Sequence, residues 1–139
     1  MKVLAPVLDS AESRAALEAA AEEARTRGAE LLLVGYLHTP TDERSGRHFS
    51  HDRDKLTADI ERRAEELRAR GLQVSVHVPI GVTKASQVIL RVAEQEKVDL
   101  IVIGVRRRTP VGKVLLGSLS QDVILEAHAP VLAVKAGEH

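Results

Sequence analysis

Leu100-Ile-Val-Ile-Gly104-Val-Arg-Arg-Arg-Thr-Pro-Val-Gly-Lys-Val-Leu-Leu-Gly117-Ser118-Leu-Ser120-Gln121 reads as a buried strand, a basic loop and the start of a helix. The four apolar residues from Leu100 to Ile103 form a short continuous run, as in a strand covered on both faces. Ser118-x-x-Gln121 has the spacing of a capped helix start, with Ser118 as the capping residue. Between them lie Arg106, Arg107, Arg108 and Lys113, and no Asp or Glu occurs from Leu100 to Gln121. A glycine-bounded basic loop running into a helix N-terminus offers backbone N–H groups and positive charge to an anion, so phosphate is the first ligand it suggests.

Outward from this stretch, strands and helices alternate. Val3 to Val7 is a short apolar strand, followed by a helix with Ala16, Leu17, Ala20 and Ala24 at helical spacing that ends at Gly28. Leu31 to Leu37 is a second strand. A second helix carries Leu56, Ile60, Ala64 and Leu67 on one stripe and stops at Gly71. Val74, Val76 and Val78 alternate with Ser75 and His77, the pattern of a half-exposed edge strand. A third helix places Ala85, Val88, Ile89 and Val92 on one face, a fourth runs from Ser118 to Ala127, and Val131 to Val134 is a last short strand.

Five strands separated by helices predict an α/β, Rossmann-like fold: one five-stranded parallel sheet in the order 3-2-1-4-5 with helices on both faces. Residues 1–139 are expected to form one such domain. In a sheet of this order the winding reverses between strands 1 and 4, and ligands collect at their carboxyl ends. Those ends are Val7-Leu8-Asp9 and Ile103-Gly104, so topology and loop chemistry point to one crevice.

Composition narrows the function. The formal net charge is zero, which argues against broad attraction to nucleic acid or membrane. Tyr36 and Phe49 are the aromatic residues, too few for base-stacking platforms. There is no cysteine, hence no disulfide, zinc–thiolate site or cysteine nucleophile. No apolar run approaches the ~20 residues of a membrane span, and a cytoplasmic location is expected. His38 to Asp54 reads as a long polar insertion. Within it His38, His48, His51 and Asp52 invite a metal-binding reading, against which stands a solvated loop with no ordered scaffold. No metal site is expected.

The chain resembles the universal stress protein family. The opening Val3-Leu-Ala-Pro-Val-Leu-Asp-Ser10, the strand Val98 to Gly104, the Gly117-Ser118 loop end and the closing Ala129-Pro-Val-Leu-Ala-Val134 carry the likeness. It implies the five-stranded fold, commonly a dimer, and often an ATP or AMP ligand, with or without Mg²⁺. The family's nucleotide-binding pattern after the fourth strand is Gly-x2-Gly-x9-Gly-Ser/Thr. Gly104, Gly117 and Ser118 match it, and Arg107 stands where the middle glycine would be. At the first strand such relatives have Pro-x-Asp; here the triplet is Pro6-Val7-Leu8, with Asp9 one residue later. Tyr36 falls where relatives place an apolar residue against adenine. The resemblance thus implies a site of Pro6, Val7, Leu8, Tyr36, Gly104, Arg107, Gly117, Ser118, Leu119 and Ser120.

Plainer readings exist for several of these residues. Ser118 and Asp9 suit helix caps, Gly104 suits a sharp turn after a strand, and the arginine run suits a solvated turn or a dimer contact. Gly112-Lys113-Val114 lacks the spacing of a P-loop. No Gly-x-Ser-x-Gly elbow and no His–carboxylate pair beside a nucleophile appears, so no catalytic residue is assigned. His128, at the far end of the last helix, is expected to be structural or exposed. The loop offers no carboxylate for Mg²⁺. The reading that results is a regulatory stress-response domain binding an adenine nucleotide, dimeric through its bare last strand. The alternative is a dimeric interaction module of the same fold that does not bind nucleotide.

Overall fold

A computed structural model describes residues 1–8, 11–38, 43–81, 83–105 and 117–135, except the side chains of residues 11, 38 and 43–51. The elements are β1 (Lys2–Pro6), α1 (Ala11–Arg27), β2 (Glu30–Val34), β3 (Leu37–His38), α2 (Glu43–Ala69), β4 (Val74–His77), β5 (Ile80–Gly81), α3 (Ala85–Gln95), β6 (Leu100–Val105), α4 (Ser118–Glu126) and β7 (Val131–Lys135). Five strands form one parallel sheet in the order β4-β2-β1-β6-β7, the 3-2-1-4-5 winding that the alternation predicts.

Successive strand residues point to opposite faces, and each face has its own core. Val3, Ala5, Leu31, Leu33, Leu100 and Val102 pack against Ala16, Ala20 and Ala24 of α1 and Ile60, Ala64 and Leu67 of α2. Leu4, Leu32, Val34, Ile101 and Ile103 pack on the other side against Ile89 and Val92 of α3 and Val123 of α4. The alanine face of α1 lets that helix lie close to the sheet. Gly28 (φ +63°) and Gly71 (φ +94°) terminate α1 and α2 in the left-handed conformation that suits glycine.

Three local expectations are corrected. The second strand breaks after Val34, and the chain resumes pairing as β3 against β5, Leu37 with Ile80 and His38 with Gly81. Helix α2 begins at Glu43, well before the expected end of the polar insertion at Asp54. The apolar stripe marks only the half of α2 that packs on the sheet, and beyond such a nucleus each further helical residue adds one backbone hydrogen bond. The side chains of His38, His48 and His51 lie outside the described residues, which hold no cluster of three metal-ligating side chains. Finally, β6 runs through Gly104 to Val105 and pairs Gly104 with Val134, so Gly104 is a strand residue and makes no sharp turn.

β4 and β7 are the edges of the sheet. On β7, Ala133 and Lys135 are exposed and the other three residues half-buried. No helix among the described residues is long and apolar enough to cross a membrane.

Candidate functional site

β1 hands over to α1 on one face of the sheet, and β6, its neighbour, leads to α4 on the other. The chain diverges there, leaving a cleft of about 290 Å³ at the carboxyl ends of the two strands. Its walls are Pro6 and Leu8 after β1, Glu12 and Ser13 in the first turn of α1, Ile103 and Gly104 of β6, and Gly117 to Ser120 at the start of α4. Topology alone makes this the expected ligand crevice of a doubly wound sheet.

Two glycines shape the cleft for different reasons. A Cβ on Gly104 would fall 2.1 Å from the carbonyl oxygen of Glu12. Glycine here lets the backbone of α1 lie directly on β6. Gly117 caps α4 in an extended conformation (φ −68°, ψ 164°). Among the described residues a Cβ there would meet nothing within 4 Å, so neither φ nor packing against them demands glycine. The expected N-cap role of Ser118 is therefore corrected: Gly117 is the cap, and exposed Ser118 is the first helical residue. The first helical hydrogen bond is donated by Gln121 N–H to Gly117 O (3.0 Å). The amides of Ser118, Leu119 and Ser120 precede it, at the positive end of the helix dipole.

Hydrogen bonds fix both rims. The Ser120 hydroxyl, buried, donates to Gly104 O (3.1 Å), tying the first turn of α4 to the end of β6. Leu8 N–H donates to Ser13 Oγ (2.8 Å), and the Ser13 hydroxyl reaches Pro6 O (3.5 Å). Ser13 is 5% exposed and holds the chain leaving β1 against α1. Leu8 presents 43% of its surface and gives this wall an apolar face. Glu12 is the carboxylate among the lining residues, and it opposes an anion unless a cation lies between them. The loop holds no acid, yet the fold brings one from α1.

Seven of the ten expected site residues line this cleft: Pro6, Leu8, Gly104, Gly117, Ser118, Leu119 and Ser120. Val7 does not. Its side chain is buried in the core and its N–H is donated to Val34 O (2.8 Å). Tyr36 follows β2, one strand over, and is not part of the lining; its hydroxyl donates to Thr83 O (2.6 Å). Arg107 lies outside the described residues, as do Arg106, Arg108, Lys113 and Asp9. Glu12 and Ser13 are lining residues outside the expected set, and Ile103, expected at the crevice as the end of its strand, lines it too. The signal for Ser13 and Glu12 was their place in the first turn after strand 1, which must flank the crevice whatever their identity. His128, exposed, sits at the opposite end of the sheet beside Ile101 and Ala129.

These features define a doubly wound α/β protein with a cleft suited to a small ligand at its switch point. The chain belongs to the universal stress protein family, which it matches over residues 1–135. It is 34% identical over 122 residues to a universal stress protein from Mycolicibacterium smegmatis, covering 88% of each chain. Its fold is similar to a universal stress protein structure from Archaeoglobus fulgidus, with a TM-score of 0.79, 31% identity, and 97% and 98% of the two chains covered. It is also similar to the universal stress protein from Archaeoglobus fulgidus in complex with dAMP (TM-score 0.72, 25% identity, 97% and 98% covered).

Proposed function

We propose that this protein is a cytoplasmic regulatory domain that binds an adenine nucleotide, ATP or AMP, in the cleft between β1 and β6. The observation that carries this reading is Gly117. Its absent side chain leaves open space at the mouth of α4, where three leading amides can meet a phosphate. The dAMP complex of an Archaeoglobus fulgidus relative supports adenine nucleotide as the ligand class. Arg107 adds charge to the phosphate from the basic loop, Leu8 and Pro6 offer apolar surface to the nucleoside, and Tyr36 packs beyond them toward the base. With ATP, Glu12 is the lining residue whose chemistry suits Mg²⁺ at the phosphates. The role is regulatory: occupancy of the cleft is read by partners, and no side-chain set for turnover is assigned. The protein forms a homodimer through the outer edge of β7.

A second reading, an interaction module of the same fold without nucleotide, is favoured by Leu125 and Ile124 of α4, 81% and 40% exposed. The two are separated by acid-precipitating the purified protein and analysing the supernatant by absorbance near 260 nm and chromatography. Stoichiometric adenine nucleotide supports the first. No released nucleotide, together with no saturable binding of ATP, AMP or dAMP in calorimetry, refutes it.

A further inference from the structure

Among the described residues three polar side chains are buried: Ser13, Ser86 and Ser120. A buried hydroxyl is costly unless it is hydrogen-bonded, so the partner of each is informative. Ser13 holds the chain leaving β1, and Ser120 ties the first turn of α4 to Gly104 O. Ser86, the second residue of α3 and 3% exposed, donates its hydroxyl to Asp122 Oδ2 of α4 (2.7 Å). Two of the three thus brace the nucleotide cleft directly. The third lies outside the cleft lining and grips the helix whose N-terminus opens into it.

Helix α4 depends on such ties because its apolar anchorage is slight. Of its nine residues Ser120 and Val123 are buried; Leu119 packs half-buried on the same core as Val123, and Ile124 and Leu125 are exposed. One buried valine fixes a point of contact and leaves the roll of the helix about that point to contacts of defined direction. Ser120 bonds to β6 and Asp122 to α3, and residues two apart lie on different sides of a helix, so the two hydrogen bonds together set that roll. The Asp122 tie is a firm one, since a hydroxyl donating to a carboxylate is charge-assisted. Helix α3 has no acid in its first turn and no side-chain cap from Lys84, so the Asp122 carboxylate at Ser86 also meets the positive end of α3.

We propose that Ser86 and Asp122 are positioning residues for the phosphate end of the cleft: their hydrogen bond sets the roll of α4 and thereby aims the amides of Ser118, Leu119 and Ser120 at the ligand's phosphate. The assignment rests on the adenine-nucleotide reading of the cleft, and both residues act through α4, being no part of the lining themselves.

The test compares AMP with adenosine by calorimetry on the full chain and reads the α4 amides by NMR without ligand. In ligand-free Ser86→Ala the Ser118, Leu119 and Ser120 amide resonances should shift, while that of Glu30, at the opposite end of the sheet, stays. AMP affinity should fall about tenfold and adenosine affinity stay within about twofold, because a binding group must sit within about 0.5 Å of its productive place and adenosine has no phosphate to lose. Asp122→Ala should behave as Ser86→Ala does, and Asp122→Asn, whose amide oxygen still accepts from Ser86, should keep most of the affinity. The double Ser86→Ala/Asp122→Ala variant removes both partners and orphans neither, so it should fold even where a single variant does not, and it should bind AMP no more weakly than either. Unmoved α4 amides, AMP and adenosine weakening together, or additive losses in the double variant overturn the proposal. Wild type that binds neither ligand defeats the nucleotide reading and this assignment with it, whereas AMP held equally well by wild type and folded Ser86→Ala defeats the assignment alone.

Discussion

Replacing Gly104 with alanine adds one methyl group, yet it should be more disruptive to the fold than valine at Gly117. The new Cβ at position 104 would lie 2.1 Å from Glu12 O, 2.4 Å from Glu12 C and 2.9 Å from Glu12 Cβ. Two of these neighbours are backbone atoms of a helix whose Ala16, Ala20 and Ala24 are packed on the sheet, so no rotamer change relieves the overlap. The first turn of α1 must move instead. Overpacking of this kind costs up to ~3 kcal/mol. Alanine recovers roughly 0.5–1 kcal/mol by restricting the unfolded chain. The net loss is about 2 kcal/mol, which for a protein of this size lowers Tm by about 7 °C. Because Glu12 and Ser13 ride on that turn, nucleotide affinity should fall with it. At Gly117, φ is −68° and, among the described residues, no heavy atom stands within 4 Å of the added Cβ. Valine there costs only the N-cap preference, about 1 kcal/mol or less. It should nevertheless weaken nucleotide at least tenfold, ~1.4 kcal/mol, by filling the space a phosphate needs. Thermal melts followed by circular dichroism, with calorimetric titration of AMP and ATP, measure both effects. A Gly104→Ala protein that melts within 2 °C of wild type would refute the packing argument (the predicted shift being about 7 °C), and unchanged affinity in folded Gly117→Val would refute the site.

Ser13→Ala removes the acceptor of Leu8 N–H and should lower stability by about 1 kcal/mol in urea melts, with a parallel loss of nucleotide affinity as the Pro6–Leu8 wall loosens. Arg107→Ala should weaken ATP more than adenosine and flatten the salt dependence; tighter ATP binding by Arg107→Gly would mean that Arg107 obstructs the site. Lys2 Nζ donates to Glu96 Oε1 (2.9 Å), and that hydrogen bond, then the Lys2 charge, holds the Glu96 carboxyl below its ordinary 4.5. A depressed folded pKa stabilises the protein above the ordinary value and is lost as pH falls through the folded one, so wild type should exceed Glu96→Gln in stability at pH 7 and converge with it in acid. Proline at Ala133 or Val134, whichever faces outward, should convert a dimer to a monomer in light scattering; wild type already monomeric at micromolar concentration would refute pairing through β7.

Helix α2 shows how far a local pattern reaches. Its apolar stripe announced the packed half, Ile60, Ala64 and Leu67, but gave no sign of the turns back to Glu43, because the sequence from Glu43 to Asp52 carries no apolar period. The capping pattern at Ser118 misled by one residue for a similar reason. Hydroxyl caps are chosen by geometry at the end of the loop, and here that geometry belongs to Gly117, while Ser120 turns inward to Gly104 O.

By itself the sequence determined the sheet order and the place of the cleft. Both follow from apolar periods and from connections long enough to cross a sheet, which are properties of neighbouring residues. It also marked Gly104 and Gly117, though not why each is glycine. Tertiary structure alone decided that Gly104 makes room for the backbone of Glu12, that Ser13 clamps the chain leaving β1, and that Val7 turns into the core while Leu8 faces the cleft. It alone brought Ser86 to Asp122. These are relations between residues up to 92 positions apart, as Glu12 and Gly104 are, set by how closely helices seat on the sheet, and no local pattern of hydrophobicity or turn chemistry encodes that distance.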